Sequence, residues 1–419
     1  MVIGKGYADR FLSEAEIAQI FEQGLSQIDV DGKKVLVIMP DSTRSGPIPL
    51  AFHLFAKYLA GRVAKLDVII ALGTHLPMNE ESICHHFGIT LKERRGIYGD
   101  IGIYNHNWEK GLINVGTIPA AEIHELSGGL MEEDVAIELN KRLYDYDHLI
   151  ICGPVFPHEV VGFSGGNKYF FPGVSGPDVI NFTHWLGAVI TNVKIIGHED
   201  TPVRQVIDRA ANFIDRPKSC FSMVVKGHHD LSGLYFGRPE ESQAAAAKIS
   251  AQVNVTYVPK PYKTVISVMP ELYDDIWTAA KGVYKMEPVV ADGGTVIIYA
   301  PHIKEISYTH GKILDKIGYH VRDYFLKRMD QYEGVPRGVM AHATHAKGAG
   351  RYENGVESPR FNVVLATGVP KERCDRINLG YMDPATLNLE EWMGREDEGI
   401  LVVPRAGETL HRLESEREG

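Results

Sequence analysis

The sequence predicts an α/β protein: two α/β domains with mostly parallel sheets and an active-site cleft between the domains. Three observations predict this. The chain has 419 residues, more than a single core of ordinary size accommodates. Short, unbroken runs of β-branched residues alternate with stretches of helical periodicity, as in strands buried on both faces between crossover helices. A second such series begins after Pro259-Lys260-Pro261, the best linker by composition. Residues 1–258 are therefore expected to form an N-terminal domain, 259–262 a linker and 263–419 a C-terminal domain.

Each element has its own signal. Ser13 and Glu16 make a capping box that opens a helix to about Leu25, with Ile17, Ile20 and Phe21 on one face. Residues 35–39 (VLVIM), 68–72 (VIIAL), 149–152 (LIIC) and 193–196 (VKII) read as buried strands, and 49–64 as a second amphipathic helix. Residues 79–82 cap a further helix and leave His85 and His86 on the surface. In the second series, 264–268 (TVISV), 295–299 (TVIIY) and 362–366 (NVVLA) are strands, with 400–403 (ILVV) closing the sheet. Helices fall near 275–283 and 312–328, and the charged tail 407–419 reads as helical.

Composition narrows the function classes. Hydrophobic residues make up 44% of the chain and charged residues 23%, which excludes wholesale disorder. With 44 Lys+Arg against 54 Asp+Glu the formal charge is −10, which disfavours a nucleic-acid binder or a basic membrane face. Cys84, Cys152, Cys220 and Cys374 form no C-x-x-C pair, so neither a zinc knuckle nor a disulfide framework is indicated. No signal-peptide pattern and no bilayer-length apolar run occurs, so a cytoplasmic protein is expected.

Four segments carry groups suited to a site beyond the carboxyl ends of parallel strands. Asp41, Ser42, Thr43 and Arg44 follow the first strand, and a carboxylate, two hydroxyls and a guanidinium on one turn can bind a ribose, a phosphate or a carboxylate. A helix cap and turn would use the same residues. Gly73-Thr74-His75 follows the second strand, where an imidazole is placed for proton transfer or for a structural hydrogen bond. The richest block runs from His158 through GFSGGNK, with Lys168, to His184. Its glycines Gly165 and Gly166 can bring backbone N–H groups close to an anion, although Asn167 and Tyr169 break the Walker pattern. Thr278 and Lys281 lie on a helix that opens the second domain, where the lysine can neutralise an anion. His75, His158 and His184 could in principle hold zinc, but lack H-x-x-x-H or H-E-x-x-H spacing. His228-His229-Asp230 reads as a loop, and His342 and His345 fall in a polar, Gly-rich stretch that could line the cleft.

Together these residues resemble the lactate racemase family, the nickel-pincer-nucleotide-dependent 2-hydroxyacid racemases and epimerases. The 41–44 turn, Gly73-Thr74-His75 and the His158, Lys168, His184 spacing of ten and sixteen residues carry the resemblance. It implies a Ni(II)-pyridinium-3,5-bisthiocarboxylic acid mononucleotide, linked through Lys168, with His184 completing the nickel coordination. It implies His75 and His158 as the catalytic acid–base pair for a step in which hydride leaves C2 and returns on the other face. Asp41, Ser42, Thr43 and Arg44 match the cofactor-contacting turn, and Arg44, Thr278 and Lys281 the substrate side. Gly165 and Gly166 as a phosphate nest come from backbone geometry alone. The implied partners are a small 2-hydroxy acid and the proteins that make the cofactor. Ser45-Gly46-Pro47 after Arg44, Thr278 where lactate-specific members carry Gln, and no Trp between Trp277 and Trp392 are departures. They point to a roomier or more polar substrate than lactate, such as malate or a sugar acid. The alternatives are a relative that only binds an anionic nucleotide and a histidine-dependent metal hydrolase.

Overall fold

A computed structural model describes residues 1–227 and 229–417, so that His228, Glu418 and Gly419 lie outside the described residues. The chain divides into two compact units, one of Met1–Phe156, Phe163–Ile180 and Arg204–Val253, the other of Pro157–Gly162, Asn181–Val203 and Asn254–Gly419. The passage into the second unit therefore falls at Asn254, ahead of Pro259-Lys260-Pro261. The reason is local: Val255–Val258 pairs in parallel with Leu410–Leu413, which fastens the segment before the prolines to the C-terminal tail.

The first unit is organised by a seven-stranded sheet in the spatial order Ile3–Gly6, Asp230–Gly237, Lys218–Lys226, His148–Pro154, Lys34–Pro40, Lys65–Ala71, Gly102–Asn105. The last five are mutually parallel, and the two at the other edge are antiparallel. Val35, Leu36, Val37 and Ile38 of the central strand are all fully buried, as unbroken apolar runs require when both faces of a sheet are covered. Helix Glu14–Ser26 begins at the predicted capping box, with Ser13 N–H donating to Glu16 Oε2 at 2.9 Å and Glu16 N–H to Ser13 Oγ at 3.3 Å. Its apolar face reaches the sheet through Phe21, whose ring stacks on Phe221 at 4.2 Å.

The second unit contains a five-stranded, wholly parallel sheet in the order Gly380–Tyr381, Asn362–Thr367, Val290–Ala300, Tyr262–Val268, Ile400–Val403. The 400–403 strand closes one edge, as its apolar run predicts. Both units are thus α/β with mostly parallel sheets.

Several local expectations are corrected. Residues 193–196 are not a strand: Asn192–Ile195 is a helical turn, and Asn192 is held by bonds to Tyr284 O and Glu287 Oε2, both 2.7 Å. Four apolar-rich residues carry too little periodicity to separate the two states. The tail is not helical, because burial of Leu410 and pairing with Val255–Val258 make Leu410–Leu413 a strand, followed by one 3-10 turn at Glu414–Glu416. The 312–328 helix is broken into Gly311–Ile317 and Arg322–Leu326, with Gly318 at φ +70° between them. His86 is half-buried and donates to Pro40 O at 2.9 Å. His342 and His345, in the polar, Gly-rich stretch, lie on a buried helix, Arg337–Lys347. No helix among the described residues is long and apolar enough to cross a membrane.

Candidate active site

Two neighbouring parallel strands of the first unit, Lys34–Pro40 and Lys65–Ala71, end side by side, with Pro40 paired to Ala71. Their exits deliver Asp41 and His75 to the same sheet edge, where ligands of such sheets bind. Asp41 is buried, and its Oδ2 accepts from His75 Nδ1 at 2.5 Å. Its Oδ1 accepts from Thr43 N–H at 3.1 Å and from the Thr43 hydroxyl at 2.6 Å. Arg44 Nη1 donates in turn to Thr43 Oγ1 at 3.0 Å. Burial alone would raise the Asp41 pKa. The charge and hydrogen bond of His75, with Arg44 and Thr43, outweigh it and hold the carboxyl well below the usual carboxylate range. Asp41 is therefore engaged in orienting His75, a role its place in the sequence motif does not reveal.

The His75 turn is tied to the glycine-rich loop. Gly73 adopts φ +55°, and its N–H donates to Gly173 O at 3.0 Å. The loop is braced from beneath: buried Arg204 donates to Gly165 O at 3.2 Å and to Phe163 O, and Asn167 Nδ2 donates to Asp208 Oδ1 at 2.9 Å and Glu240 Oε1 at 2.7 Å. Gly165 and Gly166 have φ +84° and +58°. A Cβ on them would lie 2.5 Å from Val155 Cγ2 and 2.9 Å from Gln243 Cβ, and the Gly166 N–H faces Cys220. Packing and backbone conformation require glycine at both positions. Lys168 is half-buried on this loop, where its carbonyl accepts from Gly173 N–H at 3.2 Å.

In the second unit, His158 Nδ1 accepts from Val160 N–H at 3.1 Å and lies 3.2 Å from Glu159 Oε2. Gly187 lets helix Pro177–Ile190 close on this segment, since a Cβ there would stand 3.2 Å from Val160 Cα. His184, one turn earlier, is half-buried. Thr278 belongs to a helix cap: its N–H and hydroxyl donate to Asp275 Oδ1 at 2.9 and 2.8 Å. Lys281 Nζ stands 4.1 Å over the Tyr273 ring.

Sequence reasoning missed an aromatic–histidine group in this unit. Trp277 stacks on His342 at 3.9 Å between ring centres and meets His310 at 4.7 Å. Burial pushes the His345 imidazole down to about 3, and His342 well below its ordinary value. The available signal was the i, i+3 spacing of His342 and His345, which puts both on one helix face.

The first unit thus combines a mostly parallel α/β sheet, a histidine bonded to an aspartate at a strand exit and a braced, lysine-bearing loop. The model of the lactate racemase N-terminal domain matches residues 12–195. Lactate racemases of Thermoanaerobacterium thermosaccharolyticum and Lactiplantibacillus plantarum are 24% and 26% identical over 64% of this chain, matching 60% and 59% of their own lengths. The chain thus spans about three-fifths of the curated relatives it matches. A solved structure of a Thermotoga maritima protein is 32% identical, with a TM-score of 0.87 over 96% of this chain and 99% of that one. The lactate racemase apoprotein of T. thermosaccharolyticum shares the fold, with a TM-score of 0.71 at 18% identity over 96% and 93% of the two chains. Residues 12–195 thus match the lactate racemase N-terminal domain, and the chain is similar to lactate racemases.

Proposed function

We propose that this chain is an isomerase, a racemase or epimerase that inverts C2 of a 2-hydroxy acid. The observation that carries the reading is the opposite protonation of two histidines. His75 Nδ1 donates to the Asp41 carboxylate, so Nε2 keeps a lone pair and is set to take a proton. His158 Nδ1 accepts from Val160 N–H, so in the neutral ring Nε2 carries the hydrogen and can hydrogen-bond the substrate oxygen, and the ring gives a proton only after it has been charged to the imidazolium. Reversible inversion of a carbinol centre needs one group of each kind, and the two exchange duties when the opposite hand is consumed. Arg44 and Lys281 are the cations suited to the substrate carboxylate.

The cofactor implied by the family resemblance is the nickel-pincer nucleotide, which when bound would supply the hydride acceptor. Lys168 is the amine that would tether it, and His184 the imidazole that would complete the nickel coordination. The donor chemistry fits such a group. Among the described residues no three His, Cys, Asp or Glu side chains are grouped to hold a metal. A zinc hydrolase would need that set from the protein, whereas a metal carried on organic donors needs one imidazole and an anchor. Proteins that build and load the cofactor would be the partners.

The test is a panel of enantiopure 2-hydroxy acids on cofactor-loaded protein, read by chiral chromatography. At least one is expected to interconvert, with the rate falling at least about 10²-fold in His75→Ala and in His158→Ala while nickel stays bound. Undiminished interconversion in either variant would overturn the paired-histidine reading.

A further inference from the structure

The backbone that carries Lys281 is locked in place. Asp275 caps the turn before it through two bonds from Thr278, and Ile276 N–H and Trp277 N–H donate to Glu305 O at 3.0 Å and Ile306 O at 2.9 Å. Gly282, the next residue, is pressed onto the strand Tyr262–Val268. A Cβ there would stand 2.9 Å from Ser267 Cβ, and Ser267 Oγ donates to Gly282 O at 2.6 Å. These bonds fix the Lys281 Cα but not its ammonium, which ends a flexible four-carbon stem. A long cation binds a carboxylate better when its head is already held, because less freedom is lost on binding.

The ammonium is met by Tyr273. Lys281 Nζ stands 4.1 Å from the ring centre, inside the roughly 6 Å over which a ring face attracts a cation. Tyr273 is only 1% exposed, so water does little to weaken the contact. Contacts from separate parts of the unit fix the tyrosine itself. Its N–H donates to Pro270 O at 3.1 Å, and its carbonyl accepts from His302 Nε2 at 2.9 Å. Gly407 of the C-terminal tail lies against the ring, where a Cβ would stand 2.6 Å from Tyr273 Cε2. Gly407 adopts φ +112°, and its neighbour Ala406 donates its N–H to Val268 O at 3.0 Å. Distant stretches of chain thus converge on one ring, and that ring carries the cation.

We propose that Tyr273 is a positioning residue whose ring face holds the Lys281 ammonium ready for the substrate carboxylate, an assignment that rests on the racemase reading for the carboxylate and on the ring–ammonium pair for the rest.

The experiment replaces Tyr273, in cofactor-loaded full-length chain, by phenylalanine, 4-fluorophenylalanine and 3,4,5-trifluorophenylalanine. All three keep the ring, while fluorine withdraws negative charge from its face. For the acid that is interconverted, KM is expected to stay within about twofold of the unsubstituted protein in Tyr273→Phe and to climb to about fivefold at the trifluoro ring, with kcat and Tm level. A purely structural role would give no gradient with fluorine. A second readout needs no turnover: acetylation of Lys281 by limiting acetic anhydride, read by peptide mass spectrometry, should quicken along the same series as the ring releases the ammonium. A KM indifferent to fluorine overturns the proposal, whatever the acetylation rate does, and leaves the racemase reading standing. If no acid is interconverted, that reading fails, and acetylation decides the pair: a graded rise supports the hold of Tyr273 on Lys281, and an unmoved rate overturns it.

Discussion

Replacing Asp41 by Asn probes the His75 dyad with almost no change of shape. Asp41 Oδ1 receives two hydrogen bonds from Thr43, at 3.1 and 2.6 Å. An asparagine must keep its carbonyl on that side, because an amide NH2 there would face two donors. Its NH2 then faces His75 Nδ1 and donates to it, which moves the ring hydrogen to Nε2 and removes the lone pair that takes a proton. The loss expected is between the general-base contribution of about 10² and the roughly 10⁴ that a wrong tautomer costs in a carboxylate–histidine pair. The assay is interconversion by cofactor-loaded D41N, with ¹⁵N NMR of the imidazole reporting which nitrogen carries hydrogen. Stability supplies a second readout. The Asp41 pKa is lowered by folding, so its contribution is present above the unfolded value of about 4 and lost as pH falls below it. D41N should flatten that acid limb. Wild-type turnover with the hydrogen still on Nδ1 would refute the reasoning.

Other perturbations test separate parts. Glu287 is fully buried, and burial raises its pKa against bonds from Asn192 Nδ2 and Ala349 N–H. A raised carboxyl costs stability as pH climbs above about 4.3, so Glu287→Gln should flatten the fall of Tm between about pH 4 and 7; an unchanged slope would contradict this. Arg204→Met removes the guanidinium that donates to the Phe163 and Gly165 carbonyls and should cost about 3 kcal/mol in urea unfolding. Ser13→Ala should cost about 1 kcal/mol through the lost cap, by the same measurement. Lys168→Ala should abolish any mass increment from cofactor loading, and His184→Ala should lose nickel by elemental analysis while keeping its circular dichroism.

What was legible in the sequence follows from how local each signal is. The capping box at Ser13 and Glu16, and runs such as VLVIM and TVIIY, announce themselves within a few residues, and both sheets follow from them. The strand exits were equally plain, because Asp41 and His75 each directly follow an apolar run. The bond between them was not, since 34 residues separate the pair and register alone brings them together. Pro259-Lys260-Pro261 looked like a boundary by composition, but a strand pairing with the distant tail decides where the unit begins. The His342 helix was hidden for the opposite reason. Its glycines and histidines carry weak helix propensity, and burial against Trp277 and Tyr319 overrides it.

The two proposed catalytic histidines show how one residue type is given opposite tasks by its Nδ1 neighbour. At His75 that neighbour is a carboxylate, which only accepts, so the hydrogen is forced onto Nδ1. At His158 it is a backbone N–H, which only donates, so in the neutral ring the hydrogen is forced onto Nε2. An enzyme working in both directions must also tolerate the exchanged state, in which His75 has gained a proton and His158 has given one up. Asp41 serves the first, since its carboxylate accepts from the Nδ1 hydrogen whether or not Nε2 carries a proton. At His158, the same Nδ1 that accepts from Val160 N–H lies 3.2 Å from Glu159 Oε2. Removing Glu159 should therefore slow interconversion from both enantiomers together, since the overall equilibrium ties kcat/KM in the two directions, while the Tm stays unchanged. Wild-type rates, or a Tm that falls along with the rate, would take Glu159 out of the proton transfer.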